Sequence, residues 1–374
     1  MNLENSRILA RAPARVNLIG EHTDYNGGFV LPMSTAIYTS VTATARSDRK
    51  VQVKSHTVGE TCLFDLDDLY PGANAGWVEY VKGVAAELQE AGIALRGADL
   101  LVDSDIPLGA GLSSSASLEL SVAKALLAVA GEDIASPELA ELCQRAEHRY
   151  AAVHCGIMDQ YTLACAKKGN AILLDCRSLE VLQVPLPGDA GFILTDSGER
   201  HSLSDGEYNK RADECAAAVT LLQQAASGID LLRDLSADVL EANRNELGDV
   251  LYRRCRHVVT ENERVQRSVQ ALANSDLQQV GSLIDECHSS LRDDFEVSCD
   301  EVEALVASAN SSEHVFGSRM IGAGFGGCVL SLCRADRSQD AADEIRASYA
   351  AVSGVEPWQH IAKAAEPVRI ASAA

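Results

Sequence analysis

The chain has 374 residues, 47% of them hydrophobic and 23% charged, with ordinary Gly and Pro content. That is a globular composition, not a disordered or fibrous one, and at roughly 100–200 residues per domain it leads us to expect two domains. A formal net charge of −22 argues against nucleic acid as a partner, because phosphate backbones are met by Lys and Arg clusters; the surplus carboxylates serve solubility.

Eleven Cys are scattered without CxxC pairs, and the opening stretch MNLENSRILARAP lacks the apolar run of a signal peptide. Free thiols in a reducing cytoplasm are the expectation. The longest uncharged run, 25–45, carries Asn, Gly, Pro and many Ser and Thr. It is no membrane helix, so no membrane partner is expected.

In chain order, the first 65 residues read as β-rich. RILARAPARVNLIG and FVLPMSTAIYTSVTATAR are strand-like and KVQVKSH alternates. Asn26-Gly27 between the first two predicts a hairpin turn. Over 77–89 the period becomes helical, with Val78, Val81, Val84, Ala85 and Leu88 on one stripe. ADLLVDSDI reads as a strand and is followed by the turn Gly109 to Gly111. Helices are expected over about 114–130 and about 136–150, the second with Ser136 as N-cap and Pro137 at N1. NAILLDCRSLEVLQVPLP is a β pair ending at Pro187-Gly188, where a domain boundary is expected, giving domains 1–187 and 188–374. Beyond it, GFILTDSG reads as a strand. Helical patterns follow over about 207–224, 253–274, 277–292 and 299–310. RMIGAGFGGCVLSLC is a Gly-rich turn into a strand, and DAADEIRASYAAV is a helix. Strand runs followed by helix runs suggest two α+β domains, not one doubly wound sheet.

Three places carry candidate chemistry. PLGAGLSSSAS (107–117) runs from a strand through small residues into a helix. That brings main-chain N–H groups and a positive helix end to one point. It is an anion site or a plain Gly turn with a Ser-rich helix start; it is not a Walker A loop, which needs Gly-Lys-Ser/Thr. GAGFGG (322–327) matches GxGxxG formally, but a strand follows it where a dinucleotide site needs a helix. A strand-to-strand turn is expected there. RVNLIGEHTDYNGG (15–28) gathers Arg15, Glu21, His22 and Asp24. One His without HExxH makes a weak zinc site. The cluster fits a pocket for sugar hydroxyls or a structural turn capped by Asp24. Asp159, in an apolar setting in CGIMDQ, is a helix N-cap or a base.

Taken in order, RVNLIGEHTDYNGG, WVEYVKGV, PLGAGLSSSAS, AEHRYAAVHCGIMDQ, RHSLSDGEYNKRADEC, LRDDFEVSC and GAGFGGCVLSL resemble the GHMP small-molecule kinase family, and most closely its galactose-phosphorylating sugar kinases. The resemblance spans nearly the whole chain. It implies a two-domain α+β GHMP-kinase-like fold with the active site between the domains. It implies ATP-dependent phosphorylation of the anomeric C1 hydroxyl of galactose, with Mg²⁺ as cofactor, by a cytoplasmic monomer or weak homodimer. N-acetylgalactosamine or a related sugar is the alternative substrate, and a catalytically silent sugar sensor the alternative role. Sensors without activity depart at the Ser-Ala step of the phosphate loop, whereas Ser115-Ala116 is intact here.

The family's roles map residue by residue. Glu21, His22, Thr23, Asp24, Gly156 and Tyr208 would hold the sugar. Asp159 would accept the hydroxyl proton, with Arg15 as its charged partner. Gly109, Ala110, Gly111, Leu112, Ser113, Ser114 and Ser115 would cradle ATP, with Trp77 and Tyr80 near the adenine. Ser115 and Glu147 would bind Mg²⁺. Ala14 and Ala323 stand where many relatives have Gly, a one-methyl change in each turn.

Overall fold

The computed structural model describes residues 7–72, 76–200, 204–225 and 227–371. The first six residues of the opening stretch, and His201 to Leu203 of the RHSLSDGEYNKRADEC motif, lie outside the described residues.

The first half is a sheet backed by helices. Strands β1 (Ile8–Asn17), β3 (Pro32–Ala45), β4 (Lys50–Ser55), β5 (Thr61–Asp65) and β6 (Ala98–Ser104) join the C-terminal strand β13 (Arg369–Ala371) in the order β13-β1-β3-β6-β4-β5. Only β4 and β6 pair in parallel. β4 alternates exposed and buried residues, as its sequence predicts. Helices α2 (Ser114–Ala130) and α4 (Met158–Cys165) pack on this sheet, and α1 (Trp77–Glu90) and α3 (Ser136–Ala146) pack against them. The α1 stripe is buried at Val81, Val84, Ala85 and Leu88 and half-buried at Val78. A small sheet of β2 (Phe29–Val30), β7 (Asn170–Asp175) and β8 (Val181–Pro185) follows.

The second half holds the sheet β10-β11-β9-β12, built from β9 (Ala190–Arg200), β10 (Val315–Met320), β11 (Gly326–Arg334) and β12 (Gln359–Ala362). Its helices are α5 (Ser204–Ala225), α6 (Ala237–Ala242), α7 (Arg244–Ala273), α8 (Leu277–Ser290), α9 (Asp300–Asn310) and α10 (Ser338–Ser353). One core lies almost wholly within the first half, between its sheet and helices. The other draws Leu18, Ile19, Leu31, Ile106 and Leu112 from the first half into contact with second-half residues such as Ile193, Val265 and Met320. The segments flanking the two candidate loops are therefore packed by both halves.

Two local expectations change. Asn26-Gly27 is not a two-residue hairpin turn. β1 and β3 pair as far as Asn17 opposite Pro32, so residues 18–31 form a long excursion. Asn26 ends a single 3₁₀ turn, Asp24–Asn26, and Gly27 caps it in the left-handed region at φ +66°. The excursion supplies β2 to a different sheet. Ser136 is not the N-cap of α3 either. Ala135 holds that position and makes no side-chain cap, so the helix starts one residue earlier than the Ser-Pro pattern predicts. α3 then runs into a wider π turn, Glu147–Ala151.

Candidate active site

The excursion 18–31 is held rigid by its own side chains and by the second half. Thr23 is fully buried and its hydroxyl reaches the carbonyls of Gly20 (2.9 Å) and Phe29 (2.7 Å). It therefore serves the loop and, unlike its neighbours, does not line the cavity described below. On α7, Glu261 accepts from the N–H of Gly20 (2.7 Å) and of Glu21 (3.3 Å), and Asn262 accepts from Phe29 N–H (2.8 Å). Burial would raise the Glu261 pKa, but Arg264 and His257 outweigh it and hold the carboxyl down to about 2. On β10, the fully buried Arg319 donates to the Leu18 carbonyl (2.9 Å), the Asn17 carbonyl and Glu21 Oε1 (3.0 Å). The Gly322 N–H donates to the same oxygen at 3.0 Å.

Glu21, His22 and Asp24 face a cavity of about 280 Å³ that Arg15, Glu147, Cys155, Gly156, Asp159, Tyr208, Gly322 and Ala323 also line. Both halves of the chain supply its walls. His22 sits at φ +61° and packs on Phe295 with ring centroids 4.6 Å apart. Burial, then His257 and Arg211, push its pKa down to about 3, so its imidazole is neutral. Asp24 is pushed the other way, to about 7, by burial and then by Asp159.

At the cavity edge Arg15 and Asp159 form a two-pronged pair, Nε to Oδ1 at 2.7 Å and Nη2 to Oδ2 at 2.8 Å. Asp159 opens α4 but caps nothing; Ile157 is the N-cap. Ser113 Oγ donates to Asp159 Oδ2 at 2.6 Å. Ser113 precedes α2 in the left-handed region (φ +61°), with its side chain turned to Asp159 and not to the helix end. The Gly-rich loop is also fixed by its carbonyls. Ala110 accepts from Cys328 N–H (3.2 Å), Gly111 from Arg15 Nη1 (2.5 Å) and Leu112 from Arg15 N–H (3.3 Å). The GAGFGG segment is the strand-to-strand turn expected, between β10 and β11, and it meets this loop. A Cβ on Gly322 would lie 2.8 Å from Gly111 Cα, so the two backbones approach as only glycine allows.

Beyond the loop a second cavity, about 190 Å³, is lined by Trp77, Tyr80, Ser114, Ser115, Leu108 and Leu118 among others. Both aromatics and two of the loop serines are thus at one site. The first-turn N–H groups of α2 have no intrahelical partner and carry the positive helix end.

Glu147 is buried and accepts from Gln160 Nε2 at 2.8 Å, with weaker hydrogen-bonding contact from the Cys155 thiol and the Ser115 hydroxyl. Burial and the nearby Asp159 raise its pKa despite those bonds. The fully buried Glu119 is raised further, by burial and then by Glu147. Two buried carboxyls this close favour holding a proton over carrying two negative charges. Among the described residues no group of three or more His, Cys, Asp or Glu could hold a metal. One hydroxyl and one carboxylate suit Mg²⁺, which keeps water and phosphate oxygens as its other ligands. The donor set therefore fits the cation that the sequence implies.

Sequence reasoning missed Glu119, Gln160, Glu261 and Arg319. Glu119 carried a signal, lying four residues after Ser115 on one helix face. The others meet their partners only through the fold.

A cleft with an aromatic-walled pocket, a Gly-rich helix start and a carboxylate–guanidinium pair beside a polar cavity defines a kinase of small hydroxylated molecules. Family comparison agrees: residues 79–167 match the GHMP kinases N terminal domain, 268–351 the GHMP kinases C terminal model, and 2–45 the galactokinase galactose-binding signature. The galactokinase of Roseiflexus sp. (strain RS-1) is 42% identical over 96% of this chain and 92% of its own length. That of Chloroflexus aurantiacus is 45% identical over 88% and 84%. The crystal structure of Lactococcus lactis galactokinase complexed with galactose superimposes with a TM-score of 0.93 at 35% identity, covering 98% of this chain and 95% of that one. A mevalonate kinase at 17% identity and TM-score 0.68 shares the fold, covering 95% of this chain and 98% of its own. The chain belongs to the galactokinase family of GHMP kinases.

Proposed function

We propose that this enzyme transfers the γ-phosphoryl group of ATP to the anomeric C1 hydroxyl of galactose. The observation that carries the reading is the Arg15–Asp159 pair, placed where the polar cavity meets the Gly-rich loop. The polar cavity takes the sugar, with Glu21, His22, Asp24, Tyr208 and the Gly156 backbone around it. The second cavity takes adenine between Trp77 and Tyr80, and residues 109–115 carry the phosphates. Mg²⁺ bound by Ser115 and Glu147 would neutralise phosphate charge.

Phosphoryl transfer has a loose transition state, so positioning and electrostatics dominate. Asp159 accepts the hydroxyl proton through the oxygen it presents to the sugar. Arg15 fixes the carboxylate plane and keeps a positive charge beside the transferring group. Burial would lower the Arg15 pKa, but Asp159 and Glu21 raise it overall. Ser113 holds the second carboxylate oxygen and ties the acceptor to the phosphate loop.

The same reading sets the boundary between the halves at Pro187-Gly188, between the end of β8 and the start of β9 at Ala190, with the C-terminal strand β13 returning to the first half's sheet. Eleven free thiols suit a reducing cytoplasm, and the chain works as a monomer or weak homodimer. Among the described residues no helix is long and apolar enough to cross a membrane. A coupled ADP-release assay across galactose, N-acetylgalactosamine, arabinose and galacturonate tests the function. Galactose should give the highest kcat/KM. Preference for another sugar would overturn the substrate, and no turnover with any would favour a sensor.

A further inference from the structure

Behind the catalytic pair lies a buried polar cluster that the reaction scheme does not use. Gln160 follows Asp159 on α4, so its side chain leaves the helix about 100° away, toward the interior. It is fully buried. Its Nε2 donates to Glu147 Oε2 at 2.8 Å and to Glu119 Oε2 at 3.1 Å. Gln160 Oε1 and Glu119 Oε1 have no hydrogen-bond partner. One amide nitrogen has two N–H groups, and here each goes to a different carboxylate.

This arrangement is costly as packing. Leaving buried acceptors unpaired costs roughly 1–3 kcal/mol each, and apolar side chains of similar volume would fill the space between α2 and α4 without that cost. Its location points to the reason. Glu119 lies one helical turn past Ser115 on α2, and the Ser115 hydroxyl lies beside Glu147. Two helices thus converge on one carboxylate, Ser115 and Glu119 from α2 and Gln160 from α4, with the Cys155 thiol also beside it.

We propose that Gln160 is a positioning residue that clamps the Glu147 carboxylate against Glu119, leaving its free lone pairs directed at the divalent cation of the nucleotide. The proposal rests on the reading of Ser115 and Glu147 as cation ligands. Gln160 touches neither sugar nor nucleotide; it acts through Glu147. Partners that orient a ligating carboxylate are commonly worth about 10–100-fold in metal affinity.

The test is calorimetric titration of the full chain with ADP, with and without Mg²⁺, and separately with galactose. Gln160→Met keeps the volume and removes both donors, and Glu119→Met removes the backing carboxylate, so either variant, once folded, probes the clamp. Glu119→Gln keeps an acceptor oxygen for the amide and is the conservative rescue. Either Met variant should lose about tenfold or more of the Mg²⁺-dependent gain in ADP affinity. Mg²⁺-free ADP and galactose should bind as in the wild type, and Glu119→Gln should keep most of the gain. A wild-type Mg²⁺ gain in the folded Met variants would overturn the clamp. So would equal losses for all three ligands, which mark general damage. Glu147→Gln separates the two levels: if it keeps the full Mg²⁺ gain, the cation-site reading itself fails.

Discussion

Arg15 and Asp159 lie 144 positions apart in sequence and bind each other through two guanidinium nitrogens, Nε and Nη2, at 2.7 and 2.8 Å. The pair brings β1 and α4 to one point at the edge of the sugar cavity. Asp159→Asn keeps the shape and one acceptor but cannot take a proton. We expect folded protein whose kcat falls by at least ~10², the low end for loss of a general base. Circular dichroism and steady-state kinetics check it; near-wild-type turnover would remove Asp159 from the proton path.

Ser115 separates nucleotide from sugar. Its hydroxyl lies beside Glu147 and its side chain borders the aromatic cavity, not the polar one. Ser115→Ala should raise the KM for Mg²⁺·ATP by about tenfold, as for loss of a metal ligand's partner. Galactose affinity, measured without nucleotide, should be unchanged. A collapse of galactose binding would place the loop at the wrong substrate.

The sequence was informative where the chemistry is local. The strand entering the 18–31 loop, the small residues before α2 and the aromatics of α1 stand where their patterns place them, because each depends on neighbours within one or two turns. The Asn26-Gly27 reading failed because that pattern assumes that the flanking strands pair up to the turn, and here β2 leaves for another sheet. The anchors of the loop were invisible for a related reason. Glu261 and Arg319 are 240 and 298 positions from Glu21, and a buried Glu in a helix resembles any solvated one until the fold is known. The family resemblance places Thr23 at the sugar, yet its hydroxyl turns inward to the loop's own carbonyls of Gly20 and Phe29.

Gly156 shows how closely the cavity is built. A Cβ there would lie 1.8 Å from Asp24 Oδ2 and 2.2 Å from its Cγ. Gly156→Ala therefore forces Asp24 from its place on the 3₁₀ turn. Overpacking of this kind costs about 1–3 kcal/mol, and galactose KM should rise more than the KM for ATP. Thermal melts and kinetics with each substrate varied check the split; equal changes in both would mean that Asp24 does not face the sugar.

Asp24 also gives the sugar-free protein a pH dependence of known sign. Its carboxyl loses a proton near 3.8 in an ordinary setting and near 7 in the folded chain, because of burial first and then Asp159. Between those values the folded state holds a proton that the unfolded state has released, so stability falls as pH rises from about 4 to about 7. Above 7 both states are ionised and the folded state carries the whole cost of a buried charge beside Asp159. Asparagine never ionises and keeps the size and shape of the Asp24 side chain. Asp24→Asn should therefore raise the melting temperature at pH 8 by a few degrees, at roughly 1 °C for each kcal/mol in a chain of this length. The gain should shrink steadily as the pH is lowered toward 5. Scanning calorimetry of both proteins without sugar at pH 8 and pH 5 decides it: an equal shift at both values would mean that Asp24 does not titrate between them.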